Sequence, residues 1–245
     1  MPPPERRPNP NPRTPRREQD PRRPRRPEPE LPADLPEAQL DRAARGELRS
    51  LPESLAERVT QHLVAAGLLL DDDPEAAHAH AWYARSLAPR LALVREAAGL
   101  TAYRTGDYAA ALSELRAVRR MTGDPSHLPI IADAERGLGR PDRALSLARD
   151  PDVAKLDPAA RVELAIVVSG ARRDRGEADA AVVGLQGAAL DSDELQPWTP
   201  RLWYAYAEAL LAAGRRDDAL RWFESVGAID DVGETDADER VADLA

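Results

Sequence analysis

Residues 201–224 read RLWYAYAEALLAAGRRDDALRWFE. Apolar residues recur at three- and four-residue spacing on both sides of one glycine, Gly214. That period is the mark of a helix with one buried face. A glycine between two such runs is a helix stop, because it alone enters the left-handed conformation without steric cost. The stretch therefore predicts a helical hairpin. Ala207, seven residues before the glycine, and Ala219, five after it, fall midway along the two helices. Small side chains there let the backbones approach closely, and Phe223, one turn later, fills the space towards the neighbouring element.

Working outward, the same arrangement recurs. Gly106, Gly139 and Gly176 precede Gly214 at intervals of 33, 37 and 38 residues. Seven residues before these three stand Gly99, Ala132 and Ser169; five after them stand Ala111, Ala144 and Ala181; nine after them stand Leu115, Ala148 and Leu185. An acid follows each of the four anchors, at Asp107, Asp142, Glu177 and Asp217. A further copy upstream has Ala65, Asp72 in place of the glycine, Ala77 and Ala81. In a chain rich in alanine any single match is cheap, whereas the joint pattern at fixed offsets is a repeat. Helix starts are predicted at a capping box formed by Ser50 and Glu53, and at Asp73-Pro74, Asp124-Pro125, Asp157-Pro158 and Thr199-Pro200. In these four pairs a capping side chain precedes a proline at the first helical position.

The repeat resembles the tetratricopeptide repeat (TPR), a unit of about 34 residues that places an aromatic, a small residue, a turn glycine, an alanine and an aromatic in this order. Trp203, Ala207, Gly214, Ala219 and Phe223 match it best, followed by Gly99, Gly106, Tyr108 and Ala111. The first copy ends in Pro89, where the family often has proline, and the third and fourth have Leu128 and Ala165 at the aromatic position. The chain as a whole resembles actinobacterial members of the family with a Pro/Arg-rich leader, and the resemblance carries no assigned activity. It implies an all-α, right-handed α-solenoid of about five helical hairpins behind a disordered N-terminal arm. The expected limits are 1–33 for the arm and 34–230 for the repeats (about 54–89, 92–124, 125–157, 158–196 and 199–230). A leading helix is expected at about 36–48, and 231–245 as an acidic tail or a short capping helix.

Composition narrows the function. The 245 residues include no cysteine, so disulfides and thiolate metal sites are excluded. Aromatics make up 4% of the chain, which leaves a core of alanine and leucine suited to close helix packing rather than to a sheet. The net charge of -9 conceals a division. Residues 1–30 hold nine arginines against five acids, so the remainder carries about -13. Residues 1–33 contain twelve prolines and almost nothing to bury. Lys155 is the single lysine, and asparagine occurs only at Asn9 and Asn11, a bias that points to a GC-rich, bacterial genome. No secretory h-region and no run of ~20 apolar residues is present, so a cytoplasmic protein without a membrane partner is expected.

No chemistry stands out. Nucleophilic catalysis lacks cysteine, a G-x-S-x-G elbow and a grouped triad, so no enzyme and no cofactor are expected. The four histidines, His62, His78, His80 and His127, show no ligand spacing, and the Asp71-Asp72-Asp73 run reads as a solvated helix start. The arm has two readings. It is a solubilising tail, or Arg16, Arg17, Arg22, Arg23, Arg25 and Arg26 contact nucleic-acid phosphates or a ribosome, non-specifically because no aromatic is there to stack on bases.

The leading reading is a scaffold that binds a protein or peptide partner on its concave face, which in this architecture the first helix of each repeat lines. The outward positions by register are Glu96, Leu100, Tyr103, Asp133, Arg136, Ile166, Arg173, Tyr204, Glu208 and Leu211. Of these, Glu96, Tyr103, Arg136, Arg173 and Tyr204 are the candidate groove residues, since aromatics and arginines anchor recognition. A family clamp for chaperone C-terminal carboxylates uses lysine and asparagine, and the repeats hold one lysine and no asparagine.

Overall fold

The computed structural model describes residues 27–36, 42–186, 190 and 194–244, and among these every regular element is a helix. After a leading helix α1 (Arg42–Leu48) come five hairpins: α2 (Glu53–Leu69) with α3 (Pro74–Leu87), α4 (Ala92–Arg104) with α5 (Tyr108–Thr122), α6 (Leu128–Gly137) with α7 (Pro141–Leu147), α8 (Pro158–Asp174) with α9 (Ala178–Gln186), and α10 (Thr199–Ala212) with α11 (Arg216–Gly227). Helix α12 (Ala237–Leu244) follows. The main contacts join helices one or two places apart in the chain, apart from α1 against α4. Contact confined to neighbours is what defines a solenoid.

The repeat positions do what their sizes require. Gly106, Gly139, Gly176 and Gly214 have φ of 77°, 70°, 76° and 76°, the left-handed conformation that reverses the chain between paired helices. Ala65, Ala77, Ala81, Ala111, Ala132, Ala144, Ala181, Ala207 and Ala219 are fully buried. At Gly99 an added Cβ would sit 2.7 Å from the Leu115 side chain, so α4 and α5 touch where only hydrogen fits. Phe223, the one phenylalanine, is fully buried in the C-terminal core with Leu185, Leu202 and Leu210.

Two of the four predicted Asp/Thr-Pro starts form as expected. Asp73 accepts from the Ala76 N–H at 3.0 Å and Asp157 from that of Ala160 at 2.8 Å. The other two differ. Asp124 turns on itself, accepting from the Ser126 N–H at 2.9 Å, and α6 begins only at Leu128. Thr199 is the first residue of α10 rather than its cap, and its Oγ1 accepts backwards from the Gln196 N–H at 2.8 Å. The Ser50 capping box is also absent. Pro52 takes the cap position of α2, so Ser50 lies two residues too early, and its hydroxyl donates to the Glu47 carbonyl at 2.7 Å.

The third hairpin departs from the pattern. Helix α7 stops at Leu147, so Ala148, nine residues after the glycine, is the residue that ends the helix rather than the filler between hairpins. Pro151 then opens a short 3-10 turn (Pro151–Lys155), and Leu156 beyond it is 4% exposed, packed with Leu128, Leu164 and Ala171. Leu156 thus supplies the layer that the truncated helix leaves out.

The two ends are closed differently. At the front, residues 27–36 lie along α2, with Leu31, Pro32, Leu35 and Pro36 facing Thr60, Gln61 and Val64. Glu28 pairs there with Arg58, and its carboxylate stands 3.1 Å from His62 Nε2. At the back, α12 buries Ala237 and Leu244 against the last hairpin, and Arg216 donates to the Leu244 carbonyl at 2.6 Å. The arm arginines Arg16, Arg17, Arg22, Arg23, Arg25 and Arg26 lie outside the described residues.

Candidate partner-binding groove

The first helices of successive hairpins stand side by side, so residues one repeat apart share a face. Leu70, Leu100, Ile130, Ile166 and Val167 from four hairpins form an apolar floor, and Tyr103, Arg104, Asp133, Arg136, Glu163, Arg173 and Arg201 form the walls of a groove of about 550 Å³. Among the candidate residues, Tyr103, Arg136 and Arg173 line it. Glu96 does not; its carboxylate stands 3.0 Å from His127 Nε2, nearer the start of α6. Tyr204 stands further along, edge-on to Phe223 with ring centroids 5.4 Å apart.

The polar wall is internally paired. Tyr103 donates its hydroxyl to Asp133 Oδ2 at 2.6 Å, and Arg136 donates to Asp133 Oδ1 at 3.1 Å and to Asp174 Oδ2 at 2.6 Å. Arg173 donates to Glu208 at 2.9 Å, and Arg240 of α12 reaches the same carboxylate. Arg104 pairs with Asp71, and Arg201 with Glu163. A Cβ at Gly170 would fall 2.9 Å from the Arg136 guanidinium carbon, so this glycine lets the arginine lie flat across α8.

These pairings shift the groups involved. Burial pushes the Tyr103 hydroxyl well above the ordinary tyrosine range, and the Asp133 carboxylate pushes it further. Burial works against the charge of Arg136, and Asp174 with Asp133 more than restores it. Burial raises Glu163, with Arg201 opposing the shift. Tyr204 is raised by burial and by the Asp236 carboxylate beside it.

Three of the five residues chosen by register line this groove, and the two arginines among them, expected to anchor a partner, are paired within its wall. Ile130, Glu163 and Arg201 join the groove without having been among the expected residues. A signal for the pairing is present in the sequence: the acids Asp133, Asp174 and Glu208 lie 30, 38 and 35 residues after Tyr103, Arg136 and Arg173, close to one repeat.

The histidines form no metal site among the described residues, where no group of three His, Asp or Glu side chains is placed to hold an ion. Instead His62 and His80, both buried, face each other with Nδ1 atoms 2.8 Å apart, and Tyr83 packs edge-on against His62 at 4.6 Å. His78 stacks edge-on against Trp82 at 5.7 Å.

A solved structure, a thermophilic TPR protein of Thermus thermophilus, superposes on this chain with a TM-score of 0.56 at 20% identity, covering 82% of this chain and 98% of that one. The chain has the fold of a TPR protein. At this identity the likeness is one of fold, and no family model and no curated protein matches the chain. The groove above is thus the inner face of a TPR-type α-solenoid, walled by the first helix of each repeat. No helix among the described residues is long and apolar enough to cross a membrane.

Proposed function

We propose that this protein is a non-enzymatic adaptor that holds a peptide or helix of a protein partner in the concave groove, as a cytoplasmic protein. The observation that carries this reading is the composition of the groove. An apolar floor contributed by four hairpins is ringed by an aromatic hydroxyl and four arginines, which is the mixture that recognition surfaces favour. Because Asp133, Asp174 and Glu208 already hold Tyr103, Arg136 and Arg173 in place, little side-chain freedom is lost on binding. The apolar floor then supplies affinity and the paired wall supplies register.

Affinity capture with the full chain tests it. The doubly substituted Ile130→Glu, Ile166→Glu chain is expected to keep its helical signal and lose the captured partner, because two carboxylates would stand on the apolar floor. Unchanged recovery of the same partner would place binding elsewhere.

A further inference from the structure

The face opposite the groove, formed by the second helices, carries a cluster of arginines that the adaptor reading leaves unused. Arg116 and Arg120 lie one turn apart on α5, and Arg140 and Arg143 stand at the start of α7. Between them is a cleft of about 380 Å³ walled by Leu112, Ser113, Arg116, Arg120, Leu138 and Arg140. Under it lies the fully buried Glu135. Its carboxylate pairs with Arg116, lies 3.4 Å from Arg140 and 3.8 Å from Arg143. Arg120 makes no ion pair among the described residues. Three arginines, Arg116, Arg120 and Arg140, thus line the cleft over one buried carboxylate, an excess of positive charge on a chain whose net charge is -9.

This grouping is unfavourable for the protein alone. Like charges one turn apart repel on a helix, and one shared carboxylate cannot satisfy the donors of three guanidiniums. The buried Glu135 instead gathers Arg116, Arg140 and Arg143 beside the cleft, and one carboxylate leaves most of their N–H donors unused by it. We propose that this cleft binds a compact phosphate-rich anion, a di- or triphosphate group. Guanidinium forks match phosphate oxygens in bidentate fashion, and the Ser113 hydroxyl adds a donor. Leu112 and Leu138 exclude water from one side, which strengthens each contact. A polynucleotide fits less well, because no aromatic side chain lines the cleft to stack on bases.

Calorimetric titration of the full chain with inorganic triphosphate at low ionic strength tests the proposal. Saturable binding at one site is expected. Arg120→Gln and Arg140→Gln should each weaken it roughly ten-fold, the loss of a charge-assisted contact. Arg120→Gln, which breaks no ion pair, should do so without altering the melting curve, whereas Arg140→Gln should lower the melting temperature by loosening the hold on buried Glu135. A full-length chain with Arg16, Arg17, Arg22, Arg23, Arg25 and Arg26 all replaced by glutamine should retain it. No saturable binding, binding that Arg120→Gln and Arg140→Gln leave intact, or binding lost with the arm arginines would each overturn it.

Discussion

Arg136 on α6 donates through Nε to Asp174 Oδ2 at the end of α8, 2.6 Å away and 38 residues further along the chain. The step recurs along the concave face, at Asp71 with Arg104, Tyr103 with Asp133 and Arg173 with Glu208. Each tie joins one hairpin to the next, so the polar wall of the groove also links successive repeats. Arg136 and Asp174 are 34% and 39% exposed, so solvent screens the pair. A double-mutant cycle of Arg136→Ala and Asp174→Ala, read by urea unfolding, should return a coupling of about 0.5–1 kcal/mol that shrinks in high salt. A coupling of zero at low salt would mean the tie does not hold the repeats.

Two glycines in helices should respond in opposite directions to the same substitution. Gly67 lies within α2 with no atom within 4 Å of an added Cβ, so Gly67→Ala should stabilise by about 0.5–1 kcal/mol through helix propensity. At Gly137 an added Cβ would meet the Tyr108 ring at 2.4 Å, where α6 crosses α5. Gly137→Ala should destabilise by about 1–3 kcal/mol, as overpacking does. Melting curves of the two variants check the contrast, and a shift of the same sign in both would refute it.

Leu156→Ala should cost about 2–4 kcal/mol, since this residue fills the layer that the short α7 leaves open. A loss below about 1 kcal/mol in urea unfolding would show that the third and fourth hairpins pack without it.

The front end of the solenoid should weaken in mild acid. His62 and His80 meet Nδ1 to Nδ1, so one must donate and the other accept, and both cannot carry a proton there. Burial and the neighbouring His62 hold His80 below its ordinary value of 6.5. As pH falls below 6.5 the unfolded chain takes up a proton that folded His80 resists, so stability declines with acidity. Glu28 adds a second loss at lower pH. Arg58 first, then His62, hold its carboxyl down to about 2, so its contribution is present above 4.5 and fades as pH falls towards 2. The melting temperature should drop between pH 7.5 and pH 5, and His80→Gln should flatten that drop. An equal slope in both proteins would contradict the assignment.

Much of this architecture was legible because small residues at fixed offsets leave little freedom. Gly106, Gly139, Gly176 and Gly214 adopt the reversed conformation that their spacing implied. What escaped was chemistry between repeats. Arg136 and Asp174 are far apart in sequence, and only the stacking of hairpins makes them neighbours. Glu28 escaped for another reason. It stands in a proline-rich stretch with no periodicity, and its partners Arg58 and His62 become visible only when the chain lies along α2. Leu156 was hidden because it does a helix residue's work from outside a helix.

The central claim is that the concave groove recognises a peptide. Selection from a random-peptide library on the immobilised full chain, followed by binding of the enriched peptides to variants, tests it most directly. Enriched peptides are expected to bind the parent chain, lose binding to Ile130→Glu, and keep it with Met121→Glu, an exposed position on α5 away from the groove. Enriched peptides that bind Ile130→Glu as tightly as the parent chain, or no enrichment at all, would contradict it.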